Sequence, residues 1–168
     1  ARAVKARLAG SQLTIEISMA DLILDCSDNF ATRYAVNQAC FLAKKPLLSG
    51  AAIRWQGQLM AFDFQQNSSP CYQCLFPEPS SVQDHENCSQ SGISGPVVGV
   101  IGTLQALESI KFFTKPDTVQ FSQFCQFDGL SMNWQRFNIN RDTSCPVCSQ
   151  STGYQNTGSQ EPCAQGDK

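Results

Sequence analysis

Asp21-Leu22-Ile23-Leu24-Asp25-Cys26-Ser27-Asp28-Asn29 is the stretch that decides the fold. A short apolar run ending in Asp-Cys reads as a strand buried on both faces, because parallel strands covered on both sides lose the polar alternation of half-exposed ones. Ser27, Asp28 and Asn29 then supply helix-start chemistry: their side-chain oxygens can accept hydrogen bonds from the first free backbone N–H groups of a helix. That helix is predicted from Phe30 to Ala43, with Val36, Ala39, Cys40 and Ala43 on its apolar stripe and Lys44-Lys45-Pro46 ending it. Pro46 to Gly50 reads as the next strand and Gln58 to Phe64 as another. Strand, helix and strand in this order predict a right-handed parallel βαβ unit of the doubly wound α/β type.

Upstream, Leu13-Thr14-Ile15-Glu16-Ile17 alternates as a short strand. The segment Ala1 to Gly10 reads as the end of a helix entered midway, so the chain is expected to be cut at its N-terminus. Downstream, Gln65 to Gly95 is a long loop of the kind that is usually functional or mobile. A second helix is predicted from Pro96 to Phe113, capped by Gly95. It is apolar nearly all round and so reads as a core helix, with Gly99 and Gly102 permitting close backbone approach. Thr118–Phe127 and Met132–Asn140 predict a β-hairpin turning at Asp128-Gly129. Beyond Cys148 the chain turns Ser-, Gln- and Gly-rich without periodicity. One domain is therefore expected over residues 1–148, and a disordered tail over 149–168.

The 168 residues carry a net charge of −2 and no basic stripe, which argues against nucleic acid as the main partner, since phosphate neutralisation needs clustered Lys and Arg. No window approaches eighteen consecutive apolar residues, so no membrane span is expected. Nine cysteines without a secretion signal point to a reducing cytoplasm, where thiolates bind metal or do chemistry.

Cys71-Tyr72-Gln73-Cys74 and Cys145-Pro146-Val147-Cys148 are two CxxC knuckles, which together complete the tetrahedral four-thiolate shell of structural zinc. The competing reading, a redox CxxC plus coincidence, lacks a thioredoxin-like pattern around either pair. The zinc would staple the long loop to the C-terminal end, and a closed four-cysteine site has no open position for a water. Cys26, Cys40 and Cys125 read as small core hydrophobes, and Cys163 falls in the tail. Cys88 differs: it stands in the polar loop His85-Glu86-Asn87-Cys88-Ser89-Gln90, ahead of a helix start that can lower a thiol's pKa. His85 reads as a surface loop residue.

Asp25 and Asp28 flank the carboxyl end of the first strand, the edge outside which ligands bind in open α/β sheets. A carboxylate there can hold Mg²⁺ against nucleotide phosphates; Asp28 can equally be a plain helix cap. Arg33, one turn into the helix, reaches either the crevice or solvent.

Asp25-Cys26-Ser27-Asp28-Asn29, followed by Arg33 and Asn37, resembles the DCTDN…R…N segment of the bacterial E1-like adenylyltransferase family. That family includes the molybdopterin-synthase adenylyltransferase and the thiamine-pathway sulfur-carrier adenylyltransferase. Ser49-Gly50-Ala51-Ala52-Ile53-Arg54 and Gly57-Gln58 are similar to the molybdopterin-type enzyme. Asn87-Cys88 and the run Gly95-Pro96-Val97-Val98-Gly99-Val100-Ile101-Gly102-Thr103-Leu104-Gln105-Ala106-Leu107-Glu108 are closer to the thiamine type. The resemblance implies binding of ATP·Mg²⁺ and attack on the α-phosphate by the C-terminal Gly-Gly carboxylate of a ubiquitin-like sulfur carrier, with pyrophosphate released and an acyl-adenylate formed. It implies that Asp28 is the Mg²⁺-associated acid and that the four knuckle cysteines ligate zinc. It places Cys88 where the thiamine branch has its persulfide or acyl-disulfide cysteine, and the molybdopterin branch a cysteine without an essential role. Homodimers are also implied. The family's glycine-rich nucleotide loop has no counterpart, since no G-x-G occurs in the chain. This chain is therefore expected to be the C-terminal, carrier-binding portion of such an enzyme, inactive alone, or else a carrier-binding module without ATP activation. An oxidoreductase would leave the two knuckles unexplained, and a zinc-ribbon nucleic-acid binder conflicts with the charge.

Overall fold

The structure, a computed structural model, describes residues 2–78 and 92–149. The elements in chain order are α1 (Gly10–Ser18), β1 (Ile23–Asp25), α2 (Phe30–Ala43), β2 (Leu47–Ile53), β3 (Gln56–Phe62), a single turn α3 (Tyr72–Leu75), α4 (Gly95–Thr114), a 3₁₀ turn (Pro116–Thr118), β4 (Gln123–Asp128) and β5 (Asn133–Asn138). The strands form one sheet in the order β1-β2-β3-β4-β5. β1 and β2 pair in parallel, Ile23 opposite Leu47 and Asp25 opposite Ser49, with α2 as the crossover. All later pairings are antiparallel. The doubly wound unit thus continues into an antiparallel meander, a mixed α/β sheet of Rossmann-like type.

Alternation along the strands divides the core in two. Leu47, Met60, Phe62 and Phe124 pack with Ile17, Ala39, Cys40 and Phe41 of α1 and α2 on one face. Leu48 and Ala61 turn the other way, where Val97 and Ile101 of α4 meet Phe127 and Phe112 packs against the Leu48 cluster. Glycine lets α4 lie close to the sheet. A Cβ on Gly57 would stand 2.5 Å from the Ile101 side chain, and one on Gly50 would stand 2.6 Å from Gln105 Oε1.

Helix α2 begins and ends where the sequence predicts, and the β4–β5 hairpin closes near Asp128-Gly129 as expected. Its connection runs over residues 129–132 and is held by Asp128, which accepts from Leu130 N at 3.1 Å and Ser131 Oγ at 2.6 Å.

Four expectations are corrected. Leu13–Ile17 is helical, inside α1: Leu13 and Ile17 lie four apart and pack toward α2, while Ile15 is 58% exposed. Residues 2–9 are not helical. β1 is three residues long and lies on a sheet edge, with Leu24 44% exposed rather than buried. Helix α4 starts after an N-cap at Ser94 and buries only the stripe Val97, Ile101 and Gln105; Val98, Val100, Leu107, Ile110 and Phe113 are exposed, and nothing approaches Gly99 or Gly102 within 4 Å. By length and mean hydropathy (1.3) this helix is long and apolar enough to cross a bilayer. Its packing across β2 and β3 through Gly50 and Gly57 is that of a sheet-covering helix. His85, Cys88, Cys163 and the expected tail beyond Ser149 lie outside the described residues.

Candidate functional site

Two groups of side chains stand out, a crevice at the carboxyl ends of β1 and β2 and a cluster of four thiols. The crevice is built on Asp25. Buried at the end of β1, it accepts from Ser27 N at 2.9 Å and Ser27 Oγ at 2.6 Å on one oxygen, and from Ser49 Oγ at 3.1 Å and Arg33 Nη1 at 3.4 Å on the other. Arg33, also buried, donates further to Ser49 Oγ and Gly50 O, each at 3.1 Å, and to Ser27 O. One guanidinium therefore ties the loop after β1 to β2. Its planar fork of donors suits such divergent acceptors better than an ammonium would. Arg33 thus turns inward, toward the crevice floor.

Asp28 is different in kind. It is fully exposed, and a hydrogen bond from Asn29 Nδ2 at 3.1 Å, followed by its own backbone N–H, holds its carboxyl below the usual range. The α2 N-cap is Asn29, whose Oδ1 accepts from Thr32 N at 2.9 Å, so Asp28 is free of that duty. An ionised, exposed carboxylate on the lip of the crevice has the chemistry a magnesium–phosphate group requires.

Cys26 is exposed at this lip rather than buried in a strand, which corrects the reading of it as a core hydrophobe. Its Sγ, partly covered though the residue is exposed, donates to Gln105 Oε1 at 3.3 Å; this partial desolvation, with the nearby Asp25 charge, pushes its pKa up. Gln105 was not singled out from the sequence. Its Nε2 donates to Asp25 O and Leu48 O, both at 3.0 Å, so α4 is fastened to both parallel strands. The available signal was a polar residue on the helix stripe set by Val97 and Ile101. Cys26, Ser27, Asp28, Gly50, Ala52 and Gly102 are among the residues lining a cavity of about 220 Å³ here. Cys40 is fully buried, as expected, and burial raises it to about 12. Cys125 is only half-buried.

The thiols of Cys71, Cys74, Cys145 and Cys148 lie within 4.8 Å of one another. Sγ–Sγ distances are 3.6 Å for Cys71–Cys145, 3.3 Å for Cys74–Cys148 and 3.9 Å for Cys71–Cys74. A tetrahedron with metal–sulfur bonds of about 2.3 Å has edges of about 3.8 Å, so the four sulfurs already have the spacing of a metal shell. Folding explains the convergence. Cys71 opens the α3 turn after β3, and the second knuckle follows β5, with Arg141 donating to Asn67 O and Cys148 O across the gap. Cys71 N and Asp142 N each donate to Cys74 Sγ at 3.4 Å. Hydrogen bonding from the Cys71 thiol, ahead of those amides, lowers Cys74 to about 5, whereas burial first of all raises Cys148 to about 12. Cys71 is pushed up by its contact with Cys74 and by burial. Four thiolates this close repel one another, and a divalent cation between them removes that repulsion. The cluster can hold a metal ion.

These features define a Rossmann-like α/β protein with a paired-knuckle four-cysteine cluster that can hold a metal ion. Residues 1–147 match the ThiF family, and the chain belongs to it. It is 40% identical over 146 residues to the sulfur carrier protein ThiS adenylyltransferase of Escherichia coli K12, covering 87% of this chain and 57% of that protein. It is 45% identical over 130 residues to the adenylyltransferase and sulfurtransferase MOCS3 of Dictyostelium discoideum, covering 76% of this chain and 30% of that one. The chain therefore spans between three-tenths and six-tenths of these relatives' lengths. Among solved structures, Escherichia coli MccB with ATP shares the fold with a TM-score of 0.67 at 16% identity, over 88% of this chain and 45% of that one. The family agrees with the E1-like resemblance read from the motifs.

Proposed function

We propose that this chain takes part in ATP-dependent adenylation of the C-terminal glycine of a ubiquitin-like sulfur carrier, in molybdopterin or thiamine biosynthesis, in the cytoplasm and as a homodimer. The observation that carries this reading is the exposed, ionised Asp28 at the lip of a crevice whose floor is pinned by Asp25, Arg33, Ser49 and Gln105. In that reaction the carrier's carboxylate oxygen attacks the α-phosphorus of ATP, the bond to pyrophosphate breaks, and an acyl-adenylate results. Asp28 would hold Mg²⁺, which would supply charge neutralisation. The protein's part is positioning and electrostatics. Arg33 fixes Ser27 O, and with it the loop that presents Asp28. Gln105 keeps β1, β2 and α4 in register around the crevice. The small side chains of Ala52 and Gly102 leave its wall open to an extended main chain. Cys71, Cys74, Cys145 and Cys148 hold a structural zinc. Cys88 is assigned as the residue that forms a sulfur link to the carrier.

The alternative, a carrier-binding module without ATP activation, is favoured by one observation: the chain has no G-x-G cradle for phosphates. Carrier-dependent ATP–pyrophosphate exchange decides between them when the chain is joined to an upstream segment that bears such a loop. Exchange in that fusion, and its severe loss in Asp28→Asn, is the expected result. Exchange indifferent to Asp28→Asn would refute the assignment of Asp28. A fusion that binds the carrier but never exchanges would favour the module.

A further inference from the structure

Helix α2 carries two buried polar side chains one turn apart, Arg33 and Asn37. Arg33 serves the crevice. Asn37, 0% exposed, serves the other centre. Its Oδ1 accepts from Tyr72 N at 2.9 Å, the backbone amide directly after Cys71. Because that amide can only donate, the side chain's oxygen must face it, which places the NH₂ group at the opposite end of the carboxamide. There Nδ2 is buried and has no hydrogen-bond partner among the described residues. A buried donor left unpaired is costly and uncommon in native proteins.

The chemistry beside Asn37 identifies what the donor is for. The Tyr72 amide that Oδ1 holds is joined to Cys71, so the unpaired carboxamide stands beside the first knuckle. A neutral thiol is a weak acceptor, whereas a metal-bound sulfur is a thiolate carrying the charge an N–H seeks. Ligands of protein metal sites are commonly oriented by such outer hydrogen bonds. Cys74 already receives two, from Cys71 N and Asp142 N. Cys71 Sγ receives one from the backbone, that of Cys74 N in the capping box of the α3 turn.

We propose that Asn37 is an outer-sphere support of the four-cysteine centre, donating Nδ2–H to the Cys71 thiolate of a bound metal while Oδ1 holds Tyr72 N. The proposal rests on the reading that the four thiolates hold zinc. It makes α2 a shared beam: Arg33 braces the crevice and Asn37, four residues on, braces the metal.

The test uses the full chain loaded with NMR-active cadmium and labelled with nitrogen isotope. The metal reading predicts scalar coupling from cadmium to the β-protons of Cys71, Cys74, Cys145 and Cys148. The outer-sphere role predicts a further coupling, through sulfur, to an Asn37 side-chain amide proton, with the Cys71 and Asp142 backbone amides as positive controls. Asn37→Leu, which removes the donor without adding charge, and Asn37→Asp, which keeps the oxygen for Tyr72 N, should each weaken zinc affinity by about tenfold or more in chelator competition. Coupling to all four cysteines and to the control amides, with none to Asn37, overturns the proposal and leaves the metal site standing. So does wild-type zinc affinity in Asn37→Leu. A chain that takes up no cadmium overturns the metal reading and this proposal with it.

Discussion

Replacing Arg33 with Met should unfold the crevice end of the protein more than any other single side-chain change there. Arg33 and Asp25 are both buried, and the ion pair between them spans 3.4 Å. Breaking a buried pair by removing one partner typically costs about 3–5 kcal/mol, because the remaining charge has lost its compensation. Here Asp25 keeps three other donors, Ser27 N, Ser27 Oγ and Ser49 Oγ, which favours the low end, about 3 kcal/mol. Two carbonyls, Ser27 O and Gly50 O, lose a donor as well. For a domain of this size, about 3 kcal/mol corresponds to a fall in Tm of roughly 6–12 °C. Asp25→Asn in the Arg33→Met background removes the orphaned charge and should recover part of the loss. Urea unfolding of zinc-saturated wild type, Arg33→Met and the double variant measures both effects. A single-variant loss below about 0.5 kcal/mol, the range of ordinary surface changes, would mean that Arg33 does not hold the crevice floor.

Two further outcomes follow from the cysteines. Purified chain should contain one zinc, and Cys71→Ser should lose metal and thermal stability together; reactive thiols in full number, with no metal, would refute the assignment. In an adenylation-competent fusion, Cys88→Ser should leave pyrophosphate exchange intact while abolishing a reducible adduct with the carrier on non-reducing gels. If the unsubstituted fusion forms no adduct, Cys88 is a bystander.

What the sequence made legible was local. The βαβ crossover was readable because the run Leu22 to Leu24, the Ser27-Asp28-Asn29 start and the helical spacing of Val36, Ala39 and Cys40 all agree. The thiol cluster was readable because CxxC spacing points two sulfurs at one ion. Helix α1 was misread because Leu13, Ile15 and Ile17 satisfy a period of two while Leu13 and Ile17 also satisfy the helical spacing of four, and only packing against α2 chooses between them. The burial of α4 was overestimated for a related reason: apolar residues surround it, so the sequence marks no outer face, and the sheet touches only one stripe. The bonds of Gln105 to Asp25, Leu48 and Cys26 join residues 57 to 80 positions apart, which no local pattern encodes. The direction of Arg33 had two local solutions, solvent or crevice. The buried carboxylate of Asp25 decided it.

Mass spectrometry of a ubiquitin-like sulfur carrier incubated with ATP and Mg²⁺ tests the central claim most directly. With this chain alone the carrier should keep its unmodified mass, since the chain has no G-x-G phosphate cradle. When the chain is completed by an upstream Gly-rich half, the carrier should gain the mass of an adenylyl group at its terminal glycine. An adenylylated carrier from the chain alone would show that the nucleotide site has been misplaced. An unmodified carrier from the completed protein, with ATP and carrier both bound, would contradict the adenylation account itself.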